Sequence, residues 1–134
     1  MSTPVTKELV ARALPGNLKS AATDELADLI NQISTDPLVA EQIRDNFLSY
    51  TTVLKEGKYK VEDYLNAVAY CSYKLMGESN QDAYFKTFPQ RYANLVAAGR
   101  TPKEISSYVS AYAKGQLVNK VLEQTLVPTW VLNV

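Results

Sequence analysis

The stretch from Val61 to Phe88, VEDYLNAVAYCSYKLMGESNQDAYFKTF, leaves a chain few ways to fold. Val61, Tyr64, Leu65, Val68, Cys71, Ser72 and Leu75 recur at helical spacing, so one face of a long helix can line a core, with Ser72 near its edge. Gly77 supplies the positive φ that a sharp helix exit takes without steric cost. Ser79 follows as an N-cap for a second, shorter helix over about Asn80 to Phe88. A long helix, a glycine turn and a capped short helix make a helix-turn-helix layout, a unit that often lays its second helix in a DNA groove.

The flanking sequence is punctuated in the same way. Thr6 to Leu14 reads as a short amphipathic helix, broken by Pro15-Gly16. Thr23 caps a segment whose first turn carries Asp24 and Glu25, as the helix dipole favours, and whose stripe is Leu26, Leu29, Ile30 and Ile33. Asp36-Pro37 restarts the chain, because proline at the first helical position gives up only an N–H that has no partner there. That helix runs to about Lys55 with a stripe of Leu38, Val39, Ile43, Phe47 and Leu48; Thr51-Thr52 weakens its end and Gly57 stops it. Gln90 to Ala98 is a further short helix with Gly99 past its end. Thr101-Pro102 opens a helix expected to reach about Leu126. Gly115 inside it, costing roughly 1 kcal/mol relative to alanine, points to a kink, a close contact or a break. The finish, LVPTWVLNV, is apolar and β-prone, and reads as a short extended tail.

These segments predict an all-α fold: one compact multi-helix domain over 1–134. It comprises N-terminal helices (1–56), a central helix-turn-helix-like region (59–98), and a long helix plus tail (101–134). A chain of 134 residues is long enough to bury a real core. Fourteen basic and fourteen acidic side chains cancel, but unevenly. Residues 1–56 carry five basic and eight acidic groups, and 57–134 carry nine and six, so the positive half contains the helix-turn-helix. That is the polarity a nucleic-acid site needs, though three charges make a weak footprint.

Much catalytic equipment is missing. With no histidine there is no imidazole base and no His-ligated metal. The single cysteine, Cys71, can form neither an internal disulfide nor a Cys-based zinc site, and reads as a small buried hydrophobe. Asp24, Glu25 and Asp28 need no metal to explain them, since an acidic helix start is favourable by itself. No catalytic residue, metal or cofactor is expected. The N-terminus is too polar for a signal peptide, and no apolar run reaches membrane-spanning length, so the expected location is the cytoplasm of the cell that makes the protein.

Within the central unit, Asn80 and Gln81 would face outward at the helix start, where amide side chains can bond both the donor and the acceptor that adenine presents. Lys74, Lys86 and Arg91 can contact phosphates, as can Tyr84 through its hydroxyl. The plain alternative is a helical hairpin with solvated amides and Tyr84 in the core. Tyr73 stands where helix-turn-helix units usually place a small residue, which implies a wider crossing. All nine tyrosines lie between Tyr50 and Tyr112, and tyrosine suits half-buried surfaces such as subunit interfaces as well as core rims. Tyr108, Tyr112, Val118 and Trp130 are the expected oligomer or partner contacts.

The run from Tyr59 to Glu123 resembles the helix-turn-helix region of small terminase subunits of tailed bacteriophages. The matching features are Tyr64-Leu65, the turn Gly77-Glu78-Ser79 followed by Ala83 and Tyr84, the Thr87-Phe88-Pro89 exit, and Ser107-Tyr108 to Leu117-Val118. The resemblance covers about half of the chain. It implies a non-enzymatic packaging subunit that binds double-stranded genome DNA as a homo-oligomeric ring and regulates the large terminase motor in the host cytoplasm. Carried over by position, Ser79, Asn80, Gln81, Tyr84 and Lys86 would face DNA. The rival expectation is a helical protein-interaction module, a virion component or host-directed adaptor, without DNA binding. A dimeric repressor is a third.

Overall fold

The computed structural model describes residues 4–125. Among them the chain is all helix, with no strand. In order come α1 (Lys7–Ala13), a 3₁₀ helix (Gly16–Ala21), α2 (Asp24–Asn31), α3 (Pro37–Ser49), a second 3₁₀ helix (Thr51–Glu56), α4 (Val61–Leu75), α5 (Asn80–Thr87), α6 (Pro89–Ala97), α7 (Pro102–Ala113) and α8 (Gln116–Glu123).

The expected starts form as the local chemistry dictates. The side chains of Thr6, Thr23, Asp36, Ser79 and Thr101 each accept a hydrogen bond from an amide that opens the following helix. At α7 the arrangement is reciprocal: the Glu104 amide donates to Thr101 Oγ1, and the Thr101 amide donates to Glu104 Oε1. The Thr101 amide, with Arg100 and the Thr101 hydroxyl, holds the Glu104 carboxyl below the usual carboxylate range.

Helix α4 is the centre of the molecule. It is buried on most of its circumference, packed against α3, α5 and α8. Such a helix is held by tertiary packing more than by propensity. Phe47 of α3 and Tyr64 of α4 have ring centroids 5.0 Å apart, and the Tyr64 hydroxyl donates to the Phe47 carbonyl at 2.6 Å. Deeper along the seam, Asn46 Nδ2 donates to Ser72 Oγ at 2.9 Å, and Ser72 Oγ donates to the Val68 carbonyl at 2.7 Å. Ser72 is therefore fully buried instead of lying at the core edge, and its polarity is satisfied inside. Burial raises the Cys71 thiol pKa, keeping it protonated and inert.

The structure corrects several expectations. The helix beginning at Pro37 ends at Ser49, and Thr51–Glu56 continues as 3₁₀. The long helix from Pro102 is two helices. Gly115 adopts φ −62°, ψ 150° and caps α8, and a Cβ there would stand 3.1 Å from the Tyr112 carbonyl oxygen. The chain breaks at a residue where any side chain would crowd the Tyr112 carbonyl by a few tenths of an ångström. Leu29 and Leu38, expected in apolar stripes, are exposed, Leu38 by 71%. The expected extended tail lies outside the described residues. No helix among the described residues is long and apolar enough to cross a membrane.

Candidate nucleic-acid interface

The α4–α5 junction is closed by its own backbone. The Gly77 amide donates to the Lys74 carbonyl and the Glu78 amide to the Tyr73 carbonyl, at 3.0 and 3.1 Å, with Gly77 at φ 97°. This pair of bonds around a left-handed residue ends α4 within one residue. Ser79 Oγ then accepts from the Asp82 amide at 3.1 Å and starts α5. Gly77→Ala is expected to lower stability by about 1–2 kcal/mol through backbone strain alone, because a Cβ at this site meets nothing within 4 Å. Thermal denaturation of the variant measures this.

The side chains assigned to DNA divide into two groups. Lys74 is only 7% exposed, and burial lowers its ammonium pKa, so it is a wall of the core and not a phosphate contact. Tyr84 is 4% exposed and sits in an aromatic cluster with Phe85, Phe88 and Tyr112, at centroid distances of 6.0, 5.2 and 5.6 Å. Its expected role at a phosphate gives way to packing. Ser79 is occupied as a cap. The Asn80 amide oxygen accepts from the Tyr70 hydroxyl at 3.1 Å, and burial pushes the Tyr70 pKa up to about 12, keeping it a donor. Lys86 is exposed but paired with Glu78, which raises its pKa, and it lies 5.7 Å over the Tyr73 ring. Tyr73, at the helix crossing, is thus buried beneath a cation.

Gln81 and Arg91 are open to a ligand. Gln81 is exposed in the first turn of α5. Arg91 opens α6 exposed, its guanidinium 4.0 Å from the Phe88 ring centroid, a contact that orients it without neutralising it.

Charge is not where the half-chain count placed it. Across 57–88, four lysines face four acids. Across 116–134, Lys120 faces Glu123. The whole positive excess lies across 89–115, where Arg91 of α6, Arg100 between the helices, Lys103 of α7 and Lys114 just past its end stand against Glu104 alone. Arg91, Arg100, Leu95 and Tyr108 line a groove beside Tyr84. The adjoining outer face of α7 carries Lys103, Ser106, Ser107, Ser110 and Lys114. Sequence reasoning passed over this face. Counting charge by helix instead of by half-chain would have found it.

Of the expected interface residues, Tyr108 is 45% exposed on α7. Tyr112 turns inward, edge-on to Tyr70 and Phe88 at 5.1 and 5.0 Å. Val118 is core, and Trp130 lies outside the described residues. Helix α6 buries none of its residues, leaving Tyr92 and Val96 in the open. Among the described residues no three His, Cys, Asp or Glu side chains converge as a metal site would require. No family model, curated protein or solved structure matches the chain.

Proposed function

We propose that this chain is a non-enzymatic DNA-binding subunit of a viral genome-packaging machine, of the small terminase type. It acts as a homo-oligomer and regulates the large motor subunit. The observation that carries the reading is the α4–Gly77–α5 unit, whose helix stop and Ser79 cap leave Gln81 exposed at the start of the second helix. Arg91 stands at the start of the next helix, where a phosphate can be met. A near-neutral protomer binds DNA weakly, so a ring presenting many copies supplies the avidity.

Binding of a labelled duplex from the genome end, against random duplex at low salt, tests the reading. Replacing Gln81 by alanine together with Arg91 by glutamine is expected to weaken binding by roughly tenfold or more, since one good amide-to-base contact is worth about 1–3 kcal/mol. Unchanged affinity in this variant would contradict the role of the α4–α5 unit.

One observation favours a second reading, a protein-interaction module. Helix α6 leaves Val96 in the open and Tyr92 half exposed, one side of its ring stacked on Phe85 at 4.0 Å between centroids, and Tyr108 adds an exposed ring on α7. Aromatic side chains in such positions are common anchors at protein interfaces. That reading predicts no DNA binding at any salt and loss of partner binding on Tyr92→Ala.

A further inference from the structure

The outer face of α7 belongs to neither the turn nor the core. Lys103, Ser107, Ser110 and Lys114 follow one another at spacings of four, three and four residues, so they form one stripe, flanked by Ser106. All are exposed. Neither lysine has an ion-pair partner within 4 Å among the described residues, whereas Lys7, Lys86, Arg100 and Lys120 do. The single acid of α7, Glu104, is already engaged by the Thr101 amide and Arg100. The stripe is therefore cationic at both ends; between them Ser107 Oγ donates to the Lys103 carbonyl at 3.1 Å, and the Ser106 and Ser110 side chains are exposed.

We infer that this stripe is a second nucleic-acid contact, along which a phosphodiester backbone lies; the inference rests on the DNA-binding reading above. At about 1.5 Å per residue the two lysines are about 16 Å apart along the helix. A DNA strand carries one phosphate per about 3.4 Å of axis, so the stripe faces about four or five of them. Lysine ammonium groups at the ends, with the exposed Ser106 and Ser110 hydroxyls between them, suit an evenly spaced polyanion, and contacts of this type position DNA without reading its sequence. A membrane surface fits less well, because the lysines are interleaved with serines and not with apolar side chains that could enter a bilayer.

Fluorescence anisotropy of a labelled duplex with the full chain, titrated from 50 to 200 mM salt, tests the stripe. Lys103→Gln with Lys114→Gln is expected to flatten the slope of log K against log salt by about 2 and to weaken binding at low salt by at least about tenfold, since each neutralised phosphate contributes about 0.9 to the slope. Lys103→Arg with Lys114→Arg is expected to retain the wild-type slope. Lys55→Gln with Lys58→Gln, on exposed lysines elsewhere, is expected to leave it unchanged. If the wild type binds DNA and the α7 glutamine variant keeps its slope, the stripe is not a contact and the α4–α5 reading stands. If the wild type binds no DNA even at 50 mM salt, both fall. Preferential binding to anionic lipid vesicles over DNA would also overturn the stripe.

Discussion

Replacing Tyr84 by alanine is expected to lower stability by about 3–5 kcal/mol, the range for emptying a large aromatic site in a packed core. The ring contacts Phe85, Phe88 and Tyr112, so it joins α5 and its exit to α7. Its removal leaves a void where these elements meet. Tyr84→Phe is expected to melt close to wild type, because the ring does the packing. The two variants also separate packing from DNA contact. A phosphate bond through the Tyr84 hydroxyl would make the phenylalanine variant bind DNA more weakly at unchanged stability. The buried ring predicts unchanged DNA binding instead. Chemical denaturation of both variants, followed by DNA titration of the phenylalanine variant, checks each part.

Tyr64→Ala is expected to cost a similar amount, about 3–5 kcal/mol. Tyr64→Phe isolates the hydroxyl, and is expected to cost about 1–2 kcal/mol for the lost buried bond to the Phe47 carbonyl. The pair matters because Tyr64 fastens α4 to α3, and α4 carries the turn and α5. Burial raises the Tyr64 pKa well above the ordinary tyrosine value. The sign follows directly. A raised pKa in the folded state means the buried neutral form stabilises the fold below the unfolded pKa near 10. That contribution declines as pH rises above this value, so alkaline unfolding should be shallower in Tyr64→Phe than in wild type. An equal fall in unfolding free energy with rising pH above about 10 in the two proteins would contradict this account.

The helix starts and stops were legible because their causes are local. Thr23, Asp36-Pro37, Ser79 and Thr101-Pro102 each cap the helix that follows, and Gly57, Gly77 and Gly99 each take positive φ. Long-range placement was not. Nothing within α5 says that Tyr84 meets Tyr112, because that contact depends on how α7 lies across it. Lys74 looked like a surface cation from composition, yet α4 is buried on nearly every side at its position. Gly115 was ambiguous by sequence, and in the fold its extended backbone separates α7 from α8. In the candidate site, the glycine turn and Ser79 cap were readable. The loss of Asn80 to Tyr70 and of Lys86 to Glu78, and the migration of charge to 89–115, were not.

The consequence for function is a redistribution of roles. The α4–α5 unit offers a pre-shaped turn and one free amide at Gln81, and charge comes from its C-terminal neighbours. Under the DNA-binding proposal, affinity then depends on copies acting together. The salt dependence of wild-type binding to a genome-end duplex tests this most directly. Arg91, Lys103 and Lys114 of one protomer account for a slope of log K against log salt of about −2.7. The account predicts a slope steeper than about −3, as several protomers engage at once; no binding at 50 mM salt, or a slope near zero, would contradict it.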